Sequence, residues 1–388
     1  MNEWKKVKLG LLYEVHNGLS KGRQFFGSGY PFLTFSDVFN NWFLPKELNS
    51  LVQSTEKERA ICSVKKGDVF ITRTSETMNE LGMSSVALQD YPNATYNGFT
   101  KRLRPITGEV IPEYIGYYLR SQEFRGKFMA FSSMTTRASL ANDDLLSMEV
   151  ELPSKSTQFR IAQILFRYDS LIENYQKQIK LLEEAAQRLY KEWFVDFRFP
   201  GYENTKFVDG VPEGWEKMCV DEIYSIKYGK TLSTKLILKK GIYPVYGANG
   251  VLGFYDKANC NEQVVLITSR GNGSGNVLMT YHKEAFITNN SFIVIPLENY
   301  KYCRLPFTFQ FLSNANFKSV RTGAAQPQLT NQSIHSVDVL LPTKELIISY
   351  CDKVWHAKTM ILELKNQINL LTEARDRLLP RLMSGEIV

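Results

Sequence analysis

The sequence predicts an α+β protein: two globular units separated by two long antiparallel coiled-coil helices, laid out as an internal pseudo-twofold repeat. Three observations lead there. First, Gln178–Leu189 and Gln367–Leu378 agree at eight of twelve positions, at a constant offset of 189 residues. The same offset runs backward to pair Leu152-Pro153 with Leu341-Pro342, Val150 with Val339, Asn142 with Asn331 and Leu140 with Leu329. Second, an offset of 211 joins the front ends, matching Trp4 with Trp215, Lys6 with Lys217, Tyr13 with Tyr224 and Gly18 with Gly229. Third, each copy ends in a sustained heptad pattern. The order is therefore unit, helix, unit, helix, with boundaries at 1–152, 153–199, 200–341 and 342–388.

The helices follow from spacing. Apolar residues at Ile161, Leu165, Tyr168, Ile172, Tyr175, Ile179, Leu182, Ala186, Leu189 and Trp193 alternate steps of four and three, the period of a coiled-coil seam. The second copy runs Tyr350, Val354, Ala357, Ile361, Leu364, Ile368, Leu371, Arg375, Leu378, Leu382, with Arg375 its one polar position. A seam of this length spans roughly 50 Å, too long to hide within one unit of ordinary size. Two such helices of matched length in one chain pair most easily antiparallel. The alternative is that each packs on its own unit or mediates dimerisation. Pro380 is expected to end or kink the second helix near its last turn.

Between the matched ends the two units diverge. Asp68–Thr72 and Gln263–Thr268 read as buried strands, each running on to an arginine, Arg73 and Arg270. Ala285–Pro296 reads as a further strand region, and Tyr114–Met129 and Leu305–Phe317 read as helices. Gly271-Asn-Gly-Ser-Gly275 lacks the spacing of a nucleotide-binding loop. Its small donors Asn272 and Ser274, beside Arg270, suit close approach to a DNA backbone. Ser132–Ser139 and Arg321–Gln328 occupy the same place in the repeat. They offer Thr135, Thr136 and Arg137 in one unit, and Arg321, Gln326 and Gln328 in the other. Arginine pairs with guanine and glutamine with adenine in the major groove. These residues, with Arg73 and Arg270, are the candidate DNA contacts; the alternative for each is an ordinary solvated loop.

Composition sets the class. The chain has 388 residues, 44% of them hydrophobic and 22% charged, which fits two or three folded units and excludes a disordered chain. A formal charge of +7 permits a polyanionic partner without demanding one. Five widely spaced cysteines suggest neither zinc nor disulfides, so a reducing cytoplasmic location is expected. No apolar run reaches membrane-spanning length. No Walker A loop and no Asn/Asp-Pro-Pro-aromatic tetrad occurs; Glu363-Leu-Lys365 sits in the helix, where such pairs are routine; and the four histidines are scattered. The chain is expected to be non-catalytic and to hold no cofactor or metal. Two rivals stay open: a methyltransferase or nuclease fusion with degenerate motifs, and a coiled-coil adaptor that binds no nucleic acid.

Three phrases carry a resemblance: Leu189-Tyr-Lys-Glu-Trp-Phe-Val-Asp-Phe-Arg-Phe-Pro-Gly201, Gly210-Val-Pro-Glu-Gly-Trp215 and Leu378-Leu-Pro-Arg-Leu-Met-Ser-Gly-Glu386. With the order of units they resemble the specificity subunits of Type I restriction-modification enzymes over the whole chain. The resemblance implies two target recognition domains that read the halves of a bipartite site on double-stranded DNA. It also implies helices that space them and dock two methyltransferase (modification) subunits, and restriction subunits with a translocase motor. S-adenosylmethionine and ATP then belong to the partners. Apolar residues off the seam, Ile164, Leu171, Leu181, Ile347 and Leu370, are the expected docking contacts.

Overall fold

The computed structural model describes residues 4–73, 80–132, 141–323 and 327–387. They form two compact units, the first holding the chain to Asn174 with Ile368–Val388, the second Tyr175–Gln367. The division cuts both long helices, so each unit owns part of each.

Unit 1 contains β1 (Lys5–Lys8), β2 (Tyr13–Asn17), β3 (Phe26–Leu33), β4 (Ser50–Val52), β5 (Val69–Thr72), β6 (Ser84–Val86), β7 (Thr95–Tyr96), β8 (Thr100–Pro105) and β9 (Glu149–Leu152). They make a pair β1-β9, a four-stranded sheet β2-β8-β5-β6 and a three-stranded sheet β4-β3-β7. Unit 2 opens with a small hairpin of β10 (Phe207–Val208) and β11 (Val211–Pro212). It then has β12 (Glu216–Cys219), β13 (Tyr224–Tyr228), β14 (Tyr243–Gly247), β15 (Gly250–Tyr255), β16 (Val265–Thr268), β17 (Val277–Met279), β18 (Phe286–Ile287), β19 (Ser291–Pro296) and β20 (Asp338–Leu341). These pair as β12-β20, β13-β19-β16-β17 and β15-β14-β18. The two units thus share one topology, sheet for sheet. The offsets seen in sequence recur as register: Lys5 faces Leu152 as Glu216 faces Leu341.

Local sequence explains the elements. β5 and β16 are unbroken runs of β-branched and apolar residues, and every residue of both is buried, as expected of strands covered on both faces. Thr34 with Asp37, and Thr55 with Glu58, form capping boxes that start two short helices, each worth about 1 kcal/mol. The expected helix over Tyr114–Met129 is two helices, Pro112–Arg120 and Gln122–Ser132, broken at Ser121. Ser121 is extended and its Oγ accepts from the Phe124 amide, starting the second segment.

The first long helix runs Lys155–Tyr190 and widens into a π-turn over Lys191–Val195, where the Asp196 amide bonds the Lys191 carbonyl. The second runs Lys344–Met383. Every expected seam position is buried or half-buried. Pairing is antiparallel within each unit. In unit 1, Asp169 bonds Arg375, while Ile161 and Leu165 share a core with Leu379 and Leu382. In unit 2, Glu183 lies 3.7 Å from Lys365, and the Ala186 carbonyl accepts from Tyr350 Oη at 3.1 Å.

Pro380 does not stop the second helix where it stands; the helix closes three residues later. Gly385 takes a positive φ of 74°, its amide bonds the Leu382 carbonyl and the Glu386 amide bonds the Arg381 carbonyl. That is a Schellman cap, and glycine supplies its left-handed residue without strain. A Cβ at Gly385 would stand 3.2 Å from the Trp4 ring, so the cap also closes unit 1 over the first tryptophan of the repeat. Its counterpart Trp215 packs on Phe194, Phe197 and Phe199 at the end of the first helix.

Candidate nucleic-acid interface

One end of unit 2's four-stranded sheet gathers the polar loops. Beyond β16, the Ser269 amide bonds the Asn290 carbonyl and the Leu329 amide bonds the Ser269 carbonyl. Arg270 then pairs as an isolated bridge with Gln328, and Gln328 bridges Thr322 by two backbone bonds of 2.9 Å. The Gly271 amide bonds the Pro327 carbonyl. Two segments far apart in sequence are therefore stitched by backbone, and Arg270, Asn272 and Gln328 stand exposed on that frame. Arg321 lies beside it: a Cβ at Gly275 would meet its Nε at 3.7 Å. The β14–β15 turn joins the same end, because Thr268 Oγ1 donates to the Ala248 carbonyl at 2.7 Å.

Unit 2 also contains long stretches of chain without acids. Tyr224–Tyr255, Ile267–Tyr281, Ala285–Leu297 and Leu305–Val337 contain no aspartate or glutamate, while they carry Lys227, Lys230, Lys235, Lys239, Lys240, Arg270, Lys318 and Arg321. Stretches that carry cations and amide donors but no acids suit a polyanion. Counting charge by segment would have found this in the sequence; the whole-chain charge of +7 dilutes it.

Two expectations need correction here. Ser274 is fully buried, with its amide bonded to the Gly271 carbonyl, so it supports the loop from inside and does not face outward. Among the described residues its Oγ and Arg321 Nε lack hydrogen-bond partners. Arg73 and Arg270 are also not equivalents. Thr72 pairs with Thr100 as Thr268 pairs with Ser291, so Arg73 corresponds to Ser269, and Arg270 lies one residue further out. The structure brings Arg270, Asn272, Arg321 and Gln328 together; Thr135, Thr136, Arg137 and Gln326 lie outside the described residues.

In unit 1 the matching end holds Arg73, half-buried, with its amide bonded to the carbonyl of exposed Phe99. Lys101 is next to it on β8 and donates from Nζ to Asn142 Oδ1. Burial pushes the Lys101 ammonium down, and the positive charge of Arg73 pushes the same way, against Asp144 and Asp143. Sequence reading missed Lys101 because it falls inside a strand.

The helices present a second surface. Leu171, Leu181 and Leu370 are exposed as expected. Ile164 is half-buried and packs against the unit 1 core. Ile347 is not exposed at all: it is fully buried in the unit 2 core. Its repeat counterpart Gln158 is equally buried and accepts from the Ile111 amide, so this helix position faces inward in both copies. Phe166, Trp355 and Met360 are exposed instead. At the offset of 189, Phe166 matches Trp355, Leu171 matches Met360 and Leu181 matches Leu370. Three exposed apolar positions therefore recur, once per helix, while Phe159 is exposed on the first helix alone, its counterpart Ile348 being half-buried. No helix among the described residues is long and apolar enough to cross a membrane.

Comparison with known proteins is consistent along the chain. A family model described as "Type I restriction modification DNA specificity domain" matches residues 1–184 and again 212–370. The specificity subunit of the Type I restriction enzyme MjaIX of Methanocaldococcus jannaschii is 24% identical over 99% of this chain and 94% of its own. That of the HindI enzyme of Haemophilus influenzae is 24% identical, covering the whole of both chains. Among solved structures, the Type I restriction-modification S subunit from M. genitalium aligns with a TM-score of 0.58 at 18% identity, over 98% of this chain and 96% of that one. At that identity the likeness speaks for the fold.

Proposed function

Because the chain belongs to the Type I restriction modification DNA specificity domain family, we propose that it is the subunit that chooses the DNA target of such a system and performs no chemistry itself. Residues 1–152 and 200–341 are the target recognition domains, and 153–199 and 342–388 are the helical spacers. The observation that carries this reading is one sheet topology built twice, with different loops at the same end of each copy. A shared frame with different loops suits two heads that read different half-sites of one bipartite target.

In unit 2 the readers are Arg270, Asn272, Arg321 and Gln328; in unit 1, Arg73, with buried Lys101 behind it as a support held by Asn142. Thr135, Thr136, Arg137 and Gln326 remain proposed contacts on sequence grounds. The recurring exposed set, Phe166, Leu171 and Leu181 with Trp355, Met360 and Leu370, is the docking surface for two modification subunits, one per half. The restriction and translocase subunits join that assembly. The partners hold S-adenosylmethionine and ATP, and the whole works in the cytoplasm.

The test is DNA binding by the chain assembled with its modification subunits, titrated with salt. Affinity that falls steeply as salt rises supports the reading, since phosphate contacts release counterions. Salt-independent binding, or methyl transfer by this chain alone, overturns it.

A further inference from the structure

Unit 2 carries an exposed feature that reading of base edges does not use. The turn between β14 and β15 is tight: Gly247 pairs with Gly250, and Gly250 takes a φ of 111° that favours glycine. Just past it stand Val251 and Leu252, 49% and 53% exposed. The strap before β14 adds Leu236, Leu238 and Ile242, the last 73% exposed. Leu238 bonds Phe254 through both backbone groups, so strap and hairpin form one surface. Large apolar groups massed in water mark a binding surface.

Charge says what covers it. The same stretch, Tyr224–Tyr255, has five lysines and no carboxylate, and all five are exposed. A protein partner would have to bring a wholly acidic rim; a DNA duplex carries one by nature. Position agrees, because the hairpin tip abuts the reading loop: a Cβ at Gly273 would lie 3.4 Å from Asn249 Oδ1.

We propose that the β14–β15 hairpin is an apolar wedge whose Val251 and Leu252 enter the duplex beside the half-site read by unit 2 and unstack one base step. Leucine and isoleucine wedges of this kind kink DNA by about 20–90°, and the cost of unstacking depends on the step. The hairpin thereby adds selection for a flexible pyrimidine–purine step that no side chain reads directly. The lysines of the strap hold the bent backbone.

Among the described residues, unit 1 has no matching tight apolar hairpin. Its β3 and β4 are joined by residues 34–49, which include the helix Phe35–Asn40. Two of the exposed aromatics about its β3 are covered by cations: Arg59 lies 3.8 Å from the Tyr30 ring and Lys21 lies 5.0 Å from the Phe25 ring. The distortion is therefore confined to one flank of the bipartite site. This rests on unit 2 being a DNA-binding head.

The test uses the full chain with its modification subunits and a duplex carrying the motif that the system methylates. 2-Aminopurine is placed in turn at each position except the target adenines, which methyltransferases turn out of the stack themselves. One step beside one half-site should brighten on binding. Leu252→Ser should return that step to the brightness of free duplex, and Leu252→Phe should keep it bright; Leu252 is exposed, so folding is not at stake. Salt-dependent binding with no brightened step, or brightness that survives Leu252→Ser, overturns the wedge and leaves DNA reading intact. Absence of DNA binding overturns both.

Discussion

Arg375 donates from Nη1 to Asp169 Oδ1 at 2.6 Å, joining the two long helices within unit 1. Both side chains are largely shielded from water, and Asp169 also accepts from Tyr117 Oη. Arg375 is the one polar residue of its seam, and at the repeat offset its counterpart is Ala186. The pair therefore marks one half of an otherwise symmetric seam. Arg375→Leu should cost about 1–3 kcal/mol, because Asp169 is left with a charge and one donor. Adding Asp169→Leu should recover part of the loss, since a buried pair is harder to break singly than to replace jointly. Denaturant unfolding of the two single variants and the double variant closes the cycle; strict additivity contradicts the coupling.

Gln328→Ala and Arg270→Ala should each weaken binding by about 1–3 kcal/mol and relax sequence preference at one half-site only. Lys239→Gln should instead weaken binding to all sequences alike and lower the salt slope by about one ion. Binding selections on randomised half-sites separate these outcomes. Equal loss on both half-sites contradicts the assignment of Arg270 and Gln328 to unit 2's reading face.

The paired frame was legible in the sequence because it is periodic. The heptads and the two offsets fixed the helices, and Leu152 and Leu341 fixed the closing strand of each unit. Placement of side chains was less legible. Ile347 looks like Leu181 in sequence, yet helical position turns one into the core and the other to solvent. Arg73 and Arg270 follow similar strands but differ by one residue in register, and a strand reverses face with each residue. The junction of Arg270 with Gln328 is long-range and has no local signature.

Two modification subunits are expected per chain, because the exposed set on the helices occurs twice. Leu181→Asp should remove one partner and Leu370→Asp the other, with the double variant binding none. Both positions are exposed, so the chain's own melting temperature should move little. Mass measurement of the purified assembly reads the stoichiometry. A full complement in the double variant contradicts this docking surface.

Unit 2 should lose stability in mild acid. Burial holds the His282 imidazole below its ordinary value of 6.5, and its Nδ1 lies 2.8 Å from Tyr246 Oη. The unfolded chain then takes up a proton where the folded chain does not. The contribution is intact above about pH 6.5 and is lost as pH falls from there through the lowered folded value. His282→Gln keeps a polar partner for Tyr246 and removes the titration. Its stability between about pH 7.5 and 5.5 should be flatter than that of the natural chain. Parallel curves contradict the assignment.

The most direct test of two heads on one frame is the methylated motif in cells carrying the complete system. Sequencing that reads adenine methylation across the genome should return a bipartite motif, two short half-sites of unlike sequence separated by a fixed run of unspecified bases. A continuous motif, or a perfect palindrome, contradicts the account.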